Sequence, residues 1–246
     1  MHPAFCRCCH AFPAPAVPGR RAFGALAAGV LAAALPGGAR AADPVRKTSL
    51  TPDQALALLK EGNANFRTEA PFRAGQGRER RIELARGQAP FCVLIGCSDS
   101  RVPPELLFGR GLGELFIIRN AGNTIDTAAL GSVEYGVGVL GCPLVVVMGH
   151  ESCGAVAAAV EVVEKNAMFP GVIGEMIQPI LPAVLAARRE GGTSLDAAVR
   201  ANARRVAGRL SNQSPVLQGA LAAGRLKIVP AHYDLDDGEV HWMEAG

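Results

Sequence analysis

The stretch GHESCGA, residues 149 to 155, sets a histidine and a cysteine three positions apart where an apolar run, PLVVVM, comes to an end. His150 is the sole histidine between residues 11 and 231. About fifty positions upstream, a second apolar run, PFCVLIG, ends in CSDSR, which supplies Cys97, Asp99 and Arg101. Two thiols and one imidazole form a zinc-type donor set, borderline-soft sulfur and nitrogen suited to a tetrahedral ion. Three protein ligands leave one coordination position open, which is the mark of a catalytic rather than a structural site. Cys97, Asp99 and Arg101 are spaced by two, so in an extended segment they share one face. An Asp held by an Arg stays ionised. Such a carboxylate can accept a hydrogen bond from a hydroxide beside the metal, or swing in as a fourth ligand and shut the site. The bland alternatives are a loop salt bridge for Asp99 and Arg101, and core packing for any one Cys or His taken alone. Cys153 falls in the first turn of a predicted helix, where the positive dipole end favours a thiolate, and Gly154 lets backbone approach closely.

The elements that must position these residues follow from pattern. Thr51 reads as an N-cap with Pro52 at the first helical position, and Ala55, Leu56 and Leu59 recur at helical spacing. Charged residues 78 to 86 predict a short helix. Apolar runs at 90–96, 114–120 and 143–149 predict buried strands. Helical patterns cover 126–140, 152–165, 171–190 and 194–211. RLKIVPAHYDL predicts a fourth strand and EVHWME a fifth at the edge. Strands apolar on both faces and alternating with helices indicate an α/β fold, a mostly parallel central β-sheet flanked by helices. Ligands of such sheets bind outside the carboxyl ends of strands. CSDSR and HESCG both sit there.

The 246 residues are 49% hydrophobic, enough for one sizeable core, and the net charge of +3 gives no argument for a nucleic-acid partner. Residues 1–41 differ in kind. Arg20 and Arg21 form a basic region, Ala22 to Leu35 an apolar stretch too short to span a bilayer comfortably, and Ala39-Arg40-Ala41 a cleavage site. This predicts an export signal, with Arg20, Arg21 and Phe23 resembling the twin-arginine type. The mature domain is then 42–246 and periplasmic, with no stable membrane insertion. CRCCH, Cys6 to His10, lies upstream of that signal and reads as part of a discarded segment. Four cysteines remain, of which Cys92 and Cys142 read as buried small hydrophobes. These four contain no C-x-x-C pair, which argues against thiol-redox chemistry in the mature domain.

CSDSRVPPELLF, GELFIIRNAGN, GSVEYGVGVLGCPLVVVMGHESCGAV and LKIVPAHYDLDDGEV resemble β-class carbonic anhydrases of bacterial type, from about residue 50 to the end of the chain. The resemblance implies a Zn2+ cofactor on Cys97, His150 and Cys153, and reversible hydration of carbon dioxide to bicarbonate. It implies that Asp99 and Arg101 are the dyad that positions the hydroxide or closes the site. Gln88 matches a glutamine that donates to the bound substrate across a dimer interface, so a homodimer or tetramer is expected. Phe116 and Tyr135 match an aromatic pair lining the apolar substrate pocket. Gly154 matches a backbone N–H donor near the substrate. Some members carry a Trp three residues before the first zinc cysteine, as part of an inhibitory bicarbonate pocket; this chain has Leu94 there. The alternative reading is a zinc hydrolase of carbonyl sulfide or carbon disulfide, which are also small and linear.

Overall fold

The computed structural model describes residues 46–70 and 75–244. The chain divides into units Met1–Ala42 and Asp43–Gly246, and all that follows concerns the second. The expected export signal and Cys6, Cys8 and Cys9 lie outside the described residues.

Five strands form one sheet in the order β2-β1-β3-β4-β5, with β1 Cys92–Gly96, β2 Leu115–Arg119, β3 Leu144–His150, β4 Lys227–Tyr233 and β5 Val240–Trp242. The first four run parallel, and β5 returns antiparallel to β4 as the predicted edge strand. Parallel pairing requires crossovers, and helices supply them. α1 (Pro52–Arg67) and α2 (Arg78–Leu84) precede β1, and the crossovers hold α3 (Pro104–Leu107), α4 (Thr127–Glu134), α5 (Gly154–Lys165), α6 (Ile173–Ile177), α7 (Leu181–Arg189), α8 (Leu195–Gln213) and α9 (Pro215–Ala222). Thr51 caps α1 as expected. Its hydroxyl accepts from the Gln54 N–H, and the Gln54 side chain accepts from the Thr51 N–H.

Alternation along the strands divides the core. Val93, Ile95, Val145 and Val147 pack with Val206 and Leu210 of α8, while Leu94, Val146 and Met148 pack with Leu59 of α1 and Phe108. Every residue of β1 and β3 is buried, each large apolar one contributing about 1.5–3 kcal/mol. The strand β2 differs from expectation. Its run Leu115–Ile118 is only half buried, because β2 is an edge strand and covers one neighbour rather than two.

Two expected helices are broken, and a third starts late. Residues 126–140 form α4 and then a π-helical turn, Tyr135–Val139. Residues 171–190 form α6, a 3-10 turn at Gln178–Ile180 and α7, with Pro179 and Pro182 at the junctions, where a missing N–H forbids continuous helix bonding. α5 starts at Gly154 rather than Ser152, since Ser152 takes the left-handed conformation at φ 54°.

Candidate metal centre and active site

β1 and β3 are neighbours, so their carboxyl ends bring the two chemical stretches together. Cys97 follows β1 directly, His150 ends β3, and Cys153 is the N-cap residue of α5 rather than part of its first turn. The Cys97 and Cys153 Sγ atoms lie 4.0 Å apart. One donor atom from each of Cys97, His150 and Cys153 falls within 4.8 Å of the others, and all three residues are buried.

His150 is oriented for ligation through Nε2. Its Nδ1 lies 2.8 Å from the Glu151 carbonyl, so Nδ1 carries the proton and donates. Nε2 is then left with a lone pair. It is buried and has no hydrogen-bond partner among the described residues, which is costly unless something else takes it. The two sulfurs divide one proton between them. Donation from Cys153 lowers the Cys97 thiol to about 4, against the opposing effect of burial, and N–H donation from Gly122 at 3.4 Å adds to it. The Cys153 thiol is raised, first by donating to Cys97 and then by burial. Two soft sulfurs and an orphaned imidazole nitrogen at this spacing fit a zinc ion.

Asp99 stands beside this group, its Oδ2 3.9 Å from His150 Nε2. The extended segment expected for residues 97–101 is instead a turn, closed by the Val102 N–H on the Asp99 carbonyl at 3.2 Å. That turn, not strand alternation, brings Asp99 and Arg101 together. The Arg101 guanidinium grips the carboxylate with two bonds, Nε to Oδ1 at 3.0 Å and Nη2 to Oδ2 at 2.8 Å, and the Arg101 N–H adds a third at 2.9 Å. The guanidinium holds the Asp99 carboxyl far below the usual carboxylate range. Its Nη2 also donates to the Ser152 carbonyl at 3.4 Å, tying the dyad to the turn between His150 and Cys153. Left-handed backbone at a non-glycine residue costs about 1–3 kcal/mol, so the Ser152 turn persists because its surroundings hold it.

Sequence reasoning passed over three supports. Arg119, at the end of β2, donates to the Cys97 carbonyl at 2.7 Å and to the Asp99 carbonyl, clamping both ends of CSD. Asn202 of α8 donates to the Gly122 carbonyl at 2.9 Å, fixing the peptide segment whose N–H meets Cys97 Sγ. Glu151 is the third. A lone Arg at the end of an apolar run is the one available signal, and it does not say which carbonyls the Arg will find.

The substrate residues fall elsewhere in the single chain. Gln88 is exposed in the loop before β1, in a surface cleft of about 580 Å³ with Arg81, Leu84 and Gly113. The length of β1, about 16 Å at 3.3 Å per residue, separates that loop from Cys97. Phe116 pairs in register with Val93, near the same far end. Its ring lies 6.1 Å from that of Tyr135, so these two are brought together, but away from Cys97. Gly154 opens α5, and a Cβ added there would meet nothing within 4 Å, so there is room beside it. Cys92 and Cys142 are buried free thiols as expected, with burial pushing Cys142 up to about 12.

The family model for carbonic anhydrase matches residues 92–240, which holds the four parallel strands, the start of β5 and the Cys97, His150 and Cys153 group. The chain belongs to the β class of carbonic anhydrases. Among relatives, the carbonic anhydrase of Mycolicibacterium smegmatis is 40% identical over 189 residues, 77% of this chain and 92% of that protein. Carbonic anhydrase 2 of Mycobacterium tuberculosis is 41% identical over 76% of this chain and 90% of its own. Among solved structures, the β-carbonic anhydrase CafA of Aspergillus fumigatus superposes with a TM-score of 0.61 at 30% identity, covering 79% of this chain and 91% of that one. A tetrameric β-carbonic anhydrase of Sordaria macrospora also gives 0.61, at 27% identity over 66% and 85%. This carbonic anhydrase therefore takes the mostly parallel α/β fold expected from its sequence, and its relatives favour carbon dioxide over carbonyl sulfide or carbon disulfide.

Proposed function

We propose that this carbonic anhydrase is a zinc enzyme, with Cys97, His150 and Cys153 as ligands, that interconverts carbon dioxide and bicarbonate. The observation that carries the reading is the buried Nε2 of His150, without a hydrogen-bond partner among the described residues and gathered with two thiols beside an Asp–Arg pair. When bound, zinc supplies Lewis acidity that brings a water's acidity towards neutral pH. Asp99, kept ionised by Arg101, accepts a hydrogen bond from the attacking oxygen's proton and so aims its lone pair at the substrate carbon. Released from Arg101, the same carboxylate is the candidate fourth ligand of a closed state. Gly154 offers its N–H to a substrate oxygen at the start of α5. Zinc content and carbon dioxide hydration, measured on one sample, test this reading.

The remaining substrate contacts belong to an oligomer, at least a dimer. Gln88, Phe116 and Tyr135 lie at the far end of β1 and β2, and the apolar edge strand β2 has one side unpaired among the described residues. A partner subunit that covers that edge would receive these residues at its own metal group: Gln88 as donor to charge developing on the substrate oxygen, and the aromatic pair as an apolar wall.

The proposed location is the periplasm. Its support is the order of parts in residues 1–41: paired arginines, a short apolar stretch, then Ala39-Arg40-Ala41. No helix among the described residues is long and apolar enough to cross a membrane. Replacing Arg20 and Arg21 by lysines should strand the chain in the cytoplasm with its leader attached. Processed chain still reaching the periplasm would exclude the twin-arginine route.

A further inference from the structure

The turn joining His150 to Cys153 is fastened to an element the chemistry otherwise leaves idle, the β4–β5 hairpin. Glu151 makes the attachment with three bonds. Its N–H donates to the Tyr233 carbonyl at 2.8 Å. Its carboxylate Oε2 accepts from the Leu235 N–H at 3.1 Å. Its carbonyl accepts from His150 Nδ1 at 2.8 Å. Two bonds reach outward to the hairpin and one reaches inward to the imidazole.

The hairpin is a stiff anchor. The Asp234 Oδ1 accepts from the N–H groups of Asp236 and Asp237 at 3.0 and 3.4 Å. The Asp234 N–H bonds the Glu239 carbonyl at 2.9 Å. Buried Asn63 of α1 spans the turn, donating to the Gly238 carbonyl at 2.8 Å and accepting from the Val240 N–H at 2.9 Å.

We propose that Glu151 is a positioning residue for the metal centre: by holding the Leu235 N–H, its carboxylate fixes the peptide whose carbonyl sets the tautomer and aim of His150. The inference rests on reading Cys97, His150 and Cys153 as a zinc site. Without the side-chain bond, the Tyr233 contact is the one remaining bond from Glu151 to the hairpin, and the 151–152 peptide is freer to turn about it. Ser152, in left-handed backbone at φ 54°, is the next residue and favours that release. The Leu235 N–H is only part-buried and turns to water when it loses this acceptor, so the effect falls on the 151–152 peptide rather than on the fold as a whole.

Two near-isosteric variants of the full chain separate this role from bulk. Glu151→Gln keeps an oxygen acceptor at the same reach, and Glu151→Met keeps the length and loses the acceptor. Zinc affinity is measured by competition with a chromophoric chelator, together with the visible spectrum of the cobalt(II)-loaded protein and the melting of the metal-free forms. Orienting partners of a ligand histidine are worth about 10–100-fold in metal affinity. The Met variant is expected to bind zinc weaker by that factor with altered cobalt bands. The Gln variant should stay within about threefold of wild type, well short of that range. Both metal-free forms should melt together. A Met variant as tight as wild type overturns the proposal, as does a Gln variant as weak as the Met one. A metal-free Met form melting well below the Gln form assigns Glu151 to stability and overturns it too. Wild type with no zinc affinity is a different failure, that of the zinc reading on which the proposal rests.

Discussion

Asp99 is the residue whose surroundings say most about the chemistry. Its carboxylate takes three bonds from Arg101 and lies within 4 Å of His150 Nε2, yet it is not among the three groups that converge as ligands. A residue so placed can act on whatever the metal group binds without being needed to bind the metal. Asp99→Ala is therefore expected to retain zinc and to lose carbon dioxide hydration by roughly a hundredfold or more, the usual worth of a positioned proton acceptor. Stopped-flow rates across pH check this, and a variant that matches wild type at every pH removes the dyad from the mechanism. Arg101 keeps Asp99 ionised at mildly acid pH, so protonation of Asp99 does not limit the rate there.

At the scale of elements, β4 and α8 carry a second network around the buried His232. The Arg200 Nη2 donates to His232 Nδ1 at 3.1 Å, which leaves the His232 proton on Nε2, facing Asp196. His241 stacks alongside, and Asp234 lies close enough to act on the same ring. Burial pushes His232 down to about 4. An imidazole lowered in the folded state leaves stability whole above its unfolded value of about 6.5 and withdraws it as pH falls from there to about 4. The loss is about 1.4 kcal/mol per pH unit for one proton. Urea melts at pH 7, 5.5 and 4.5 should show this decline in wild type and not in His232→Gln; equal declines would contradict it. The same elements show what the sequence could and could not disclose. The strands were legible because β1, β3 and β4 are short apolar runs bounded by Gly, Pro or charge, and the metal group followed from where those runs stop. The break after α4 was not legible. A Cβ at Gly136 would come within 2.5 Å of Val93 Cγ2, and contact with a distant strand leaves no mark on local periodicity. Nor was α9, eight residues capped by Ser214, which also bonds Glu134 across the fold. Asp99 and Arg101 were paired correctly for the wrong reason: a turn, not an extended strand, joins them.

For the whole molecule, the proposed reading puts the two halves of a catalytic site at opposite ends of β1 in one chain. On that reading Gln88 and the Phe116–Tyr135 pair, which lie away from their own chain's Cys97, serve the metal group of a partner subunit. Mixed oligomers test this without a structure. Cys153→Ser removes a proposed ligand and Gln88→Leu removes the donor, and each alone should be nearly inactive. Unfolded together and refolded, they should form mixed dimers in which one site is intact, restoring about a quarter of wild-type activity for random two-fold assembly. Activity no greater than the sum of the separate variants would return Gln88 to its own chain or out of the mechanism. The central claim, a zinc site that hydrates carbon dioxide, meets its most direct test in one preparation. Hydration is followed by stopped flow at pH 7 and pH 8.5, and zinc is measured on the same sample, for wild type and Cys153→Ser. Activity with about one zinc per chain, and the loss of both in the variant, is the expected result. A chain full of zinc and inactive at either pH, or a Cys153→Ser variant that keeps its metal, would contradict it.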